Sequence, residues 1–163
     1  FAAGMQGLRE HGLIEVLQEV VRKGSTPLLG ICLGMQLLMD SSEENGNWKG
    51  LGIIPGTVKR FSAPEKTGAL FKIPQIGWNT IMPAPESDWS SGILKATTPG
   101  AFVYFVHSYH VVPEHREDIV AETAYGNDRF CSVINHGPVW GCQFHPERSG
   151  EQGLAILQQF LQQ

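Results

Sequence analysis

Five residues, Gly30-Ile31-Cys32-Leu33-Gly34, restrict what this chain can fold into more than any other stretch of it. They stand where a short apolar run (residues 27–31), entered through Ser25-Thr26-Pro27, gives way to a helical pattern over residues 34–40. A run of that length and character suits a buried parallel strand. The handover from strand to helix then has the glycine-x-nucleophile-x-glycine form. A side chain thrust out of so tight a turn sits in strained backbone, and flanking residues must lack Cβ atoms that would collide. The helix beginning there would point free N–H groups and a positive dipole end at the Cys32 sulfur, favouring thiolate. The Leu33 N–H would face the oxyanion of a tetrahedral intermediate. Taken alone, Cys32 reads equally well as a small buried hydrophobe in a glycine-rich turn.

The rest of the chain predicts an α/β fold: a mostly parallel sheet flanked by helices, with added antiparallel strands. Apolar residues at 5, 8, 13, 17, 20 and 21 give a helix over about 3–23, weakened at Gly12 and ended by Arg22-Lys23-Gly24. Residues 41–50 are polar and rich in Gly and Asn, hence loop. Segments 56–61, 79–82, 101–109, 118–125, 130–135 and 139–144 are β-rich and separated by Gly, Pro, Asn and Asp. The Asn-His-Gly-Pro between the last two suits a hairpin turn, and residues 151–161 close with an amphipathic helix. No linker or repeat divides the chain, so residues 1–163 are expected to be one domain.

With 42% apolar and 17% charged residues the composition is that of a soluble globular protein. A net charge of −4 without any run of Lys or Arg argues against nucleic acid and anionic membrane as partners. The longest apolar stretch, residues 27–39, is interrupted by Gly30, Gly34 and Gln36 and does not suit a bilayer span. Cysteines at 32, 131 and 142 are odd in number and lack CxxC spacing, which favours a reduced, cytoplasmic protein over a disulfide framework. The chain opens at Phe1, without Met and in mid-helical pattern, so its N-terminus is expected to be truncated.

A second motif, Gln143-Phe144-His145-Pro146-Glu147, follows the strand pattern Val-Trp-Gly-Cys. His145 could relay a proton, with Glu147 orienting the ring and stabilising imidazolium. By itself a His-x-Glu is more often a satisfied surface pair. The other histidines (11, 107, 110, 115 and 136) show no ligand spacing, so no metal or other cofactor is expected. One cysteine on an elbow with a distant His-x-Glu is, however, the general pattern of Cys–His catalysis assembled by folding.

Five segments carry a family resemblance: PLLGICLGMQLL (27–38), GIIPG (52–56), IPQIGWN (73–79), YFVHSY (104–109) and GCQFHPERSG (141–150). In this order, spanning nearly the whole chain, they resemble the glutaminase subunits of imidazole glycerol phosphate synthase, within the class I, triad-type glutamine amidotransferases. The resemblance implies that Cys32 attacks the side-chain amide of glutamine, His145 passes a proton to the leaving ammonia and Glu147 holds His145. Leu33, Gly34 and Gln36, with His107, Ser108 and Tyr109, would hold the substrate. The implied partner is a (β/α)₈-barrel cyclase that receives ammonia in its interior, with Trp78, Asn79 and Arg148 near the docking face. The resemblance also implies that a glycine-rich loop carrying the second oxyanion donor precedes the position of Phe1, so that these 163 residues alone would be nearly inactive. Two alternatives stay open: a paralogous glutaminase feeding a sugar-modifying partner, and a non-catalytic binding subunit of the same fold. A cysteine peptidase or thiol sensor leaves GMQLL and YFVHSY without a role.

Overall fold

The computed structural model describes residues 1–62 and 71–163. Two helices open it, α1 (Ala2–Glu10) and α2 (Leu13–Lys23). The helical pattern over 3–23 is broken where Gly12 takes φ +63°, a conformation costly for other residues. Gly24, also left-handed at φ +69°, ends α2 by donating its N–H to Val20 O.

Strand β1 (Leu28–Ile31) leads through Cys32 into α3 (Leu33–Leu37), then directly into β2 (Met39–Ser42). The helix expected over 34–40 therefore stops early, and part of the expected loop is strand. The cause is tertiary: the backbone N–H groups of Gly50, Leu51, Gly52 and Ile53 take the carbonyls of Asp40, Leu37, Met39 and Leu38. Gly50 permits this approach, since a Cβ there would lie 2.0 Å from Met39 O. The chain continues through β3 (Trp48–Lys49), β4 (Ile54–Arg60), β5 (Gln75–Thr80), β6 (Met82–Pro83) and a 3₁₀ turn at Gly92–Leu94.

The stretch 101–109, expected as one strand, is two: β7 (Phe102–His107) and β8 (Tyr109–Pro113), with Ser108 at the corner. After a turn at Arg116–Asp118 come β9 (Ile119–Tyr125), β10 (Asp128–His136) and β11 (Val139–Cys142), the last two forming the expected hairpin across Gly137-Pro138. A 3₁₀ turn at Pro146–Arg148 leads into α4 (Gly150–Phe160).

The fold is α/β with mixed sheets. Among the described residues the sheets run β1-β11-β10-β9-β6, β3-β2-β4-β8 and, as a separate ribbon, β5-β7. Parallel pairing joins β1 to β11 and β2 to β4, and the other pairs are antiparallel. The elbow and α3 carry the chain from β1 in the first of these sheets to β2 in the second. Two apolar clusters cover the large sheet. Phe105, Phe130, Val133, Phe144 and Ile156 belong to one, and Met35, Met39, Ile54, Ile134 and Val139 to the other. Val133 and Ile134 are neighbours in β10 yet join different clusters, and register shifts on both sides of Val133 put Cys131 in the same cluster as Ile134. No described helix is long and apolar enough to cross a membrane.

Candidate active site

Cys32 ends β1 at φ +50° and ψ −106°, backbone that a non-glycine residue adopts only under strain. The strain is held from several sides. Its N–H donates to Cys142 O at 2.7 Å, prolonging the β1–β11 pairing by one rung. A Cβ on Gly30 would lie 2.7 Å from both Gly34 C and Met35 N, so only glycine lets the helix fold back over β1. Gly34 differs from the sequence expectation: its Cβ would meet nothing within 4 Å, so packing does not demand glycine there.

His145 follows β11, with its N–H on Tyr104 O at 2.9 Å. Ser149 Oγ bridges the pair, donating to His145 O at 2.7 Å and accepting from Tyr104 N–H at 3.0 Å. Within the turn, His145 Nδ1 lies 2.6 Å from Glu147 Oε1. With Nδ1–H donating to that carboxylate, Nε2 is the nitrogen left for chemistry. On the same open edge of β7, two residues further along, Val106 O accepts from the Cys32 thiol at 3.8 Å. Carbonyls two residues apart on a strand are separated by about 7 Å. The free edge of β7 thus brings together Cys32, at the end of β1, and His145, after β11. Among the described residues no hydrogen bond joins Cys32 to His145.

Burial pushes the Cys32 thiol above its ordinary pKa; the Leu33 N–H, aimed at the sulfur, pulls it down, Glu147 pushes up and a Gln143 hydrogen bond pulls down. The helix end was expected to favour thiolate; α3 is only five residues long, and desolvation outweighs the donors at the sulfur. Cys142 and Cys131 are buried, and burial drives both thiols far upward. Neither suits a nucleophile.

The residues expected to hold a substrate fall into two groups. Leu33, Gly34, Ser108 and Tyr109 are at least partly exposed, with Leu33 39% exposed. His107 and Gln36 are buried behind them. Gln36 Nε2 donates to Tyr109 O at 2.8 Å and to Gln143 Oε1 at 3.2 Å. His107 Nδ1 lies 2.8 Å from Tyr109 O, and its Nε2 lies 3.1 Å from the side-chain amide of Gln75. Gln143, in view in the sequence but given no role there, touches the Cys32 sulfur. Only a fully buried amide, which must find partners, could have flagged it.

His107 is held neutral, its pKa lowered to about 4, mainly by burial, against an ordinary 6.5. A histidine kept neutral this way contributes stability fully above about pH 6.5 and loses it as pH falls toward 4, about 3 kcal/mol in total. The urea midpoint should therefore fall more steeply between pH 7.5 and 4.5 in the native protein than in His107→Gln. Equal falls in the two proteins would contradict a neutral, buried His107.

Trp78 and Arg148 lie together on the outer face of the β5–β7 ribbon. Trp78 is 56% exposed and meets the Tyr104 ring edge-on at 6.0 Å, while the Arg148 guanidinium lies 4.2 Å from the Tyr104 ring centre. Ile76 and Phe102, 63% and 60% exposed, extend the apolar face. Asn79 instead turns back into the fold, donating to Ala124 O at 2.9 Å and accepting from Thr80 N–H. A cavity of about 670 Å³ lies away from the thiol, lined by Asp88, Arg116, Asn135 and Trp140. No described group of three His, Cys, Asp or Glu is placed to hold a metal.

A strained cysteine elbow over a mixed sheet, with a histidine–carboxylate turn on the neighbouring strand, defines an enzyme class, and the chain belongs to the class-I glutamine amidotransferases: that family's sequence pattern matches residues 4–163. Among its relatives is imidazole glycerol phosphate synthase subunit HisH 1 of Legionella pneumophila (strain Lens), 44% identical over 163 residues, covering 99% of this chain and 76% of the relative. The HisH subunit of Streptococcus gordonii is 47% identical over 161 residues, 98% of this chain and 72% of the relative. The fold also resembles a solved glutamine amidotransferase with TM-score 0.62 at 19% identity, covering 95% of this chain and 69% of that one. Another, from Thermotoga maritima, matches with TM-score 0.56 at 17% identity, covering 91% of this chain and 52% of the other.

Proposed function

We propose that the protein hydrolyses glutamine to glutamate and ammonia through Cys32, His145 and Glu147, as the glutaminase subunit of a cytoplasmic imidazole glycerol phosphate synthase in histidine biosynthesis. The observation that carries this is the pairing of a strained Cys32 with a Glu147-oriented His145 on one open edge of β7. In this scheme the Cys32 sulfur, giving its proton to His145 Nε2, adds to the carboxamide carbon of glutamine. The Leu33 N–H stabilises the oxyanion. Collapse of the adduct breaks the C–N bond, and the proton on His145 leaves with ammonia. Water, deprotonated by His145, then attacks the γ-glutamyl thioester, releasing glutamate and restoring the thiol. Glu147 fixes the tautomer and stabilises the imidazolium.

Glutamine's amino-acid end is assigned to the space beside Gly34, between Leu33 and the Ser108–Tyr109 corner. His107 and Gln36 support that corner from behind. Ammonia passes to a (β/α)₈-barrel cyclase docked on the apolar face around Trp78 and Arg148, with Asn79 shaping the ribbon beneath. Residues 1–163 belong to a single amidotransferase domain. The identity to HisH subunits favours this acceptor over a sugar-modifying partner, and the Cys-His-Glu set favours catalysis over a binding role.

The test is glutamate release by the protein with its cyclase partner, in His145→Ala and Glu147→Gln. Glu147→Gln should lower turnover less than His145→Ala, because orientation is impaired while the proton carrier remains. Undiminished release in His145→Ala would end the proposal. Equal damage from both, with glutamine binding unchanged, would give Glu147 a direct part in the chemistry.

A further inference from the structure

Behind the nucleophile lies a chain of amides whose polarity is fixed at its far end. Tyr109 O is a backbone carbonyl and can only accept, so the NH₂ of Gln36 must face it, at 2.8 Å. The second hydrogen of that NH₂ points to Gln143 Oε1 at 3.2 Å. With its oxygen so engaged, Gln143 presents its own NH₂ to the Cys32 sulfur, at 3.7 Å. Turning either amide over would set NH₂ against NH₂ or carbonyl against carbonyl. Gln143 is 0% exposed and Gln36 5%, so water offers neither an alternative partner. The backbone of Gln143 is pinned as well, its N–H donating to Ser132 O at 3.0 Å.

On its other side the sulfur meets Val106 O, at 3.8 Å. The two contacts act oppositely. A carbonyl accepts from a thiol and repels a thiolate, whereas an amide N–H binds a neutral thiol weakly and a thiolate strongly. Among the described residues, the titratable groups on the surrounding elements are Glu147 and His145 on the turn after β11, Cys142 on β11, His107 on β7 and Tyr109 on β8. Glu147 and desolvation oppose the thiolate, so donors are needed to support it.

We propose that Gln143 is a positioning residue for the nucleophile, its amide held by Gln36 and Tyr109 O so that an N–H supports the Cys32 sulfur as thiolate. This rests on Cys32 being the nucleophile of a glutaminase.

The experiment is the pH dependence of Cys32 alkylation by iodoacetamide, followed by mass spectrometry of the Cys32 peptide in the wild-type protein, Gln143→Met and Gln36→Met. Loss of a hydrogen bond to a charged group should slow alkylation about tenfold or more at a pH below the midpoint, and raise that midpoint. Gln36→Met keeps the Gln143 amide but frees its orientation, so its midpoint should rise less. Turnover of glutamine should fall in Gln143→Met with KM little changed. A role confined to filling space would leave the alkylation midpoint where it is. An unmoved midpoint in Gln143→Met overturns the proposal; if that variant does not fold, an unmoved midpoint in Gln36→Met does so. Alkylation does not require glutaminase activity. A moved midpoint, when the complete gene product with its cyclase partner releases no glutamate, would therefore sustain the positioning role and end the glutaminase reading, and an unmoved midpoint in an active enzyme would do the reverse.

Discussion

Cys32→Ala should reduce glutamine hydrolysis by about 10⁴-fold or more, because removing the nucleophile of a triad leaves only binding and oxyanion stabilisation. The same change at Cys131 or Cys142 should leave turnover within a few fold. Both of those thiols are buried and held protonated, and neither is drawn into the site. Their cost should appear in stability, since truncating a fully buried side chain leaves a small cavity, at about 1 kcal/mol. Glutamate release and urea midpoints on the three variants separate the two effects. Abolished release in Cys142→Ala with an unchanged midpoint would contradict the assignment of the nucleophile.

Gly153→Ala is expected to damage both stability and catalysis, although Gly153 lies far from Cys32 in sequence. Gly153 is buried in the first turn of α4, where a Cβ would stand 1.9 Å from Pro146 O, 2.7 Å from Pro146 C and 2.8 Å from Ser149 Cβ. The first two are backbone atoms and cannot swing aside. Either α4 retreats from the sheet, disturbing Ile156 in the core, or the Pro146–Arg148 turn moves. That turn carries Glu147, whose contact to His145 Nδ1 is 2.6 Å, and Ser149 ties it to Tyr104 on β7. Overpacking of this kind costs about 1–3 kcal/mol. Displacing the carboxylate adds a loss of turnover, because an imidazole not held in its tautomer is a poorer base. Unchanged urea midpoint and unchanged glutamate release in Gly153→Ala would show that α4 does not set the histidine turn.

Much of this site could be read before any coordinates. The elbow followed from glycine spacing, because the Cβ clash at Gly30 is a local event between residues four and five apart. The break at Gly12 and the end of α2 at Gly24 followed from the left-handed backbone that glycine accepts. The His-x-Glu contact is likewise local, made within one turn. What the sequence misplaced were features decided by distant backbone. The helix after Cys32 stops at Leu37 because residues 50–53 capture its carbonyls, and no propensity in residues 34–40 foretells that. The strand through 101–109 breaks at Ser108 because its two halves pair with different partners, β5 and β4.

The same division holds for the chemistry. Residue type and spacing pointed to the α/β class and to two local motifs, the cysteine elbow and the histidine–carboxylate turn, each made within a few residues; that the two meet on β7 belongs to the tertiary structure. Only the tertiary structure decided that Gly34 faces open space, that His107 and Gln36 stand behind the corner at Ser108–Tyr109, and that Gln143 reaches the sulfur. Those outcomes turn on which buried polar groups meet across strands up to 111 residues apart, and on the desolvation that raises the Cys32 thiol. Burial and long-range pairing are properties of the folded chain, and no local pattern encodes them.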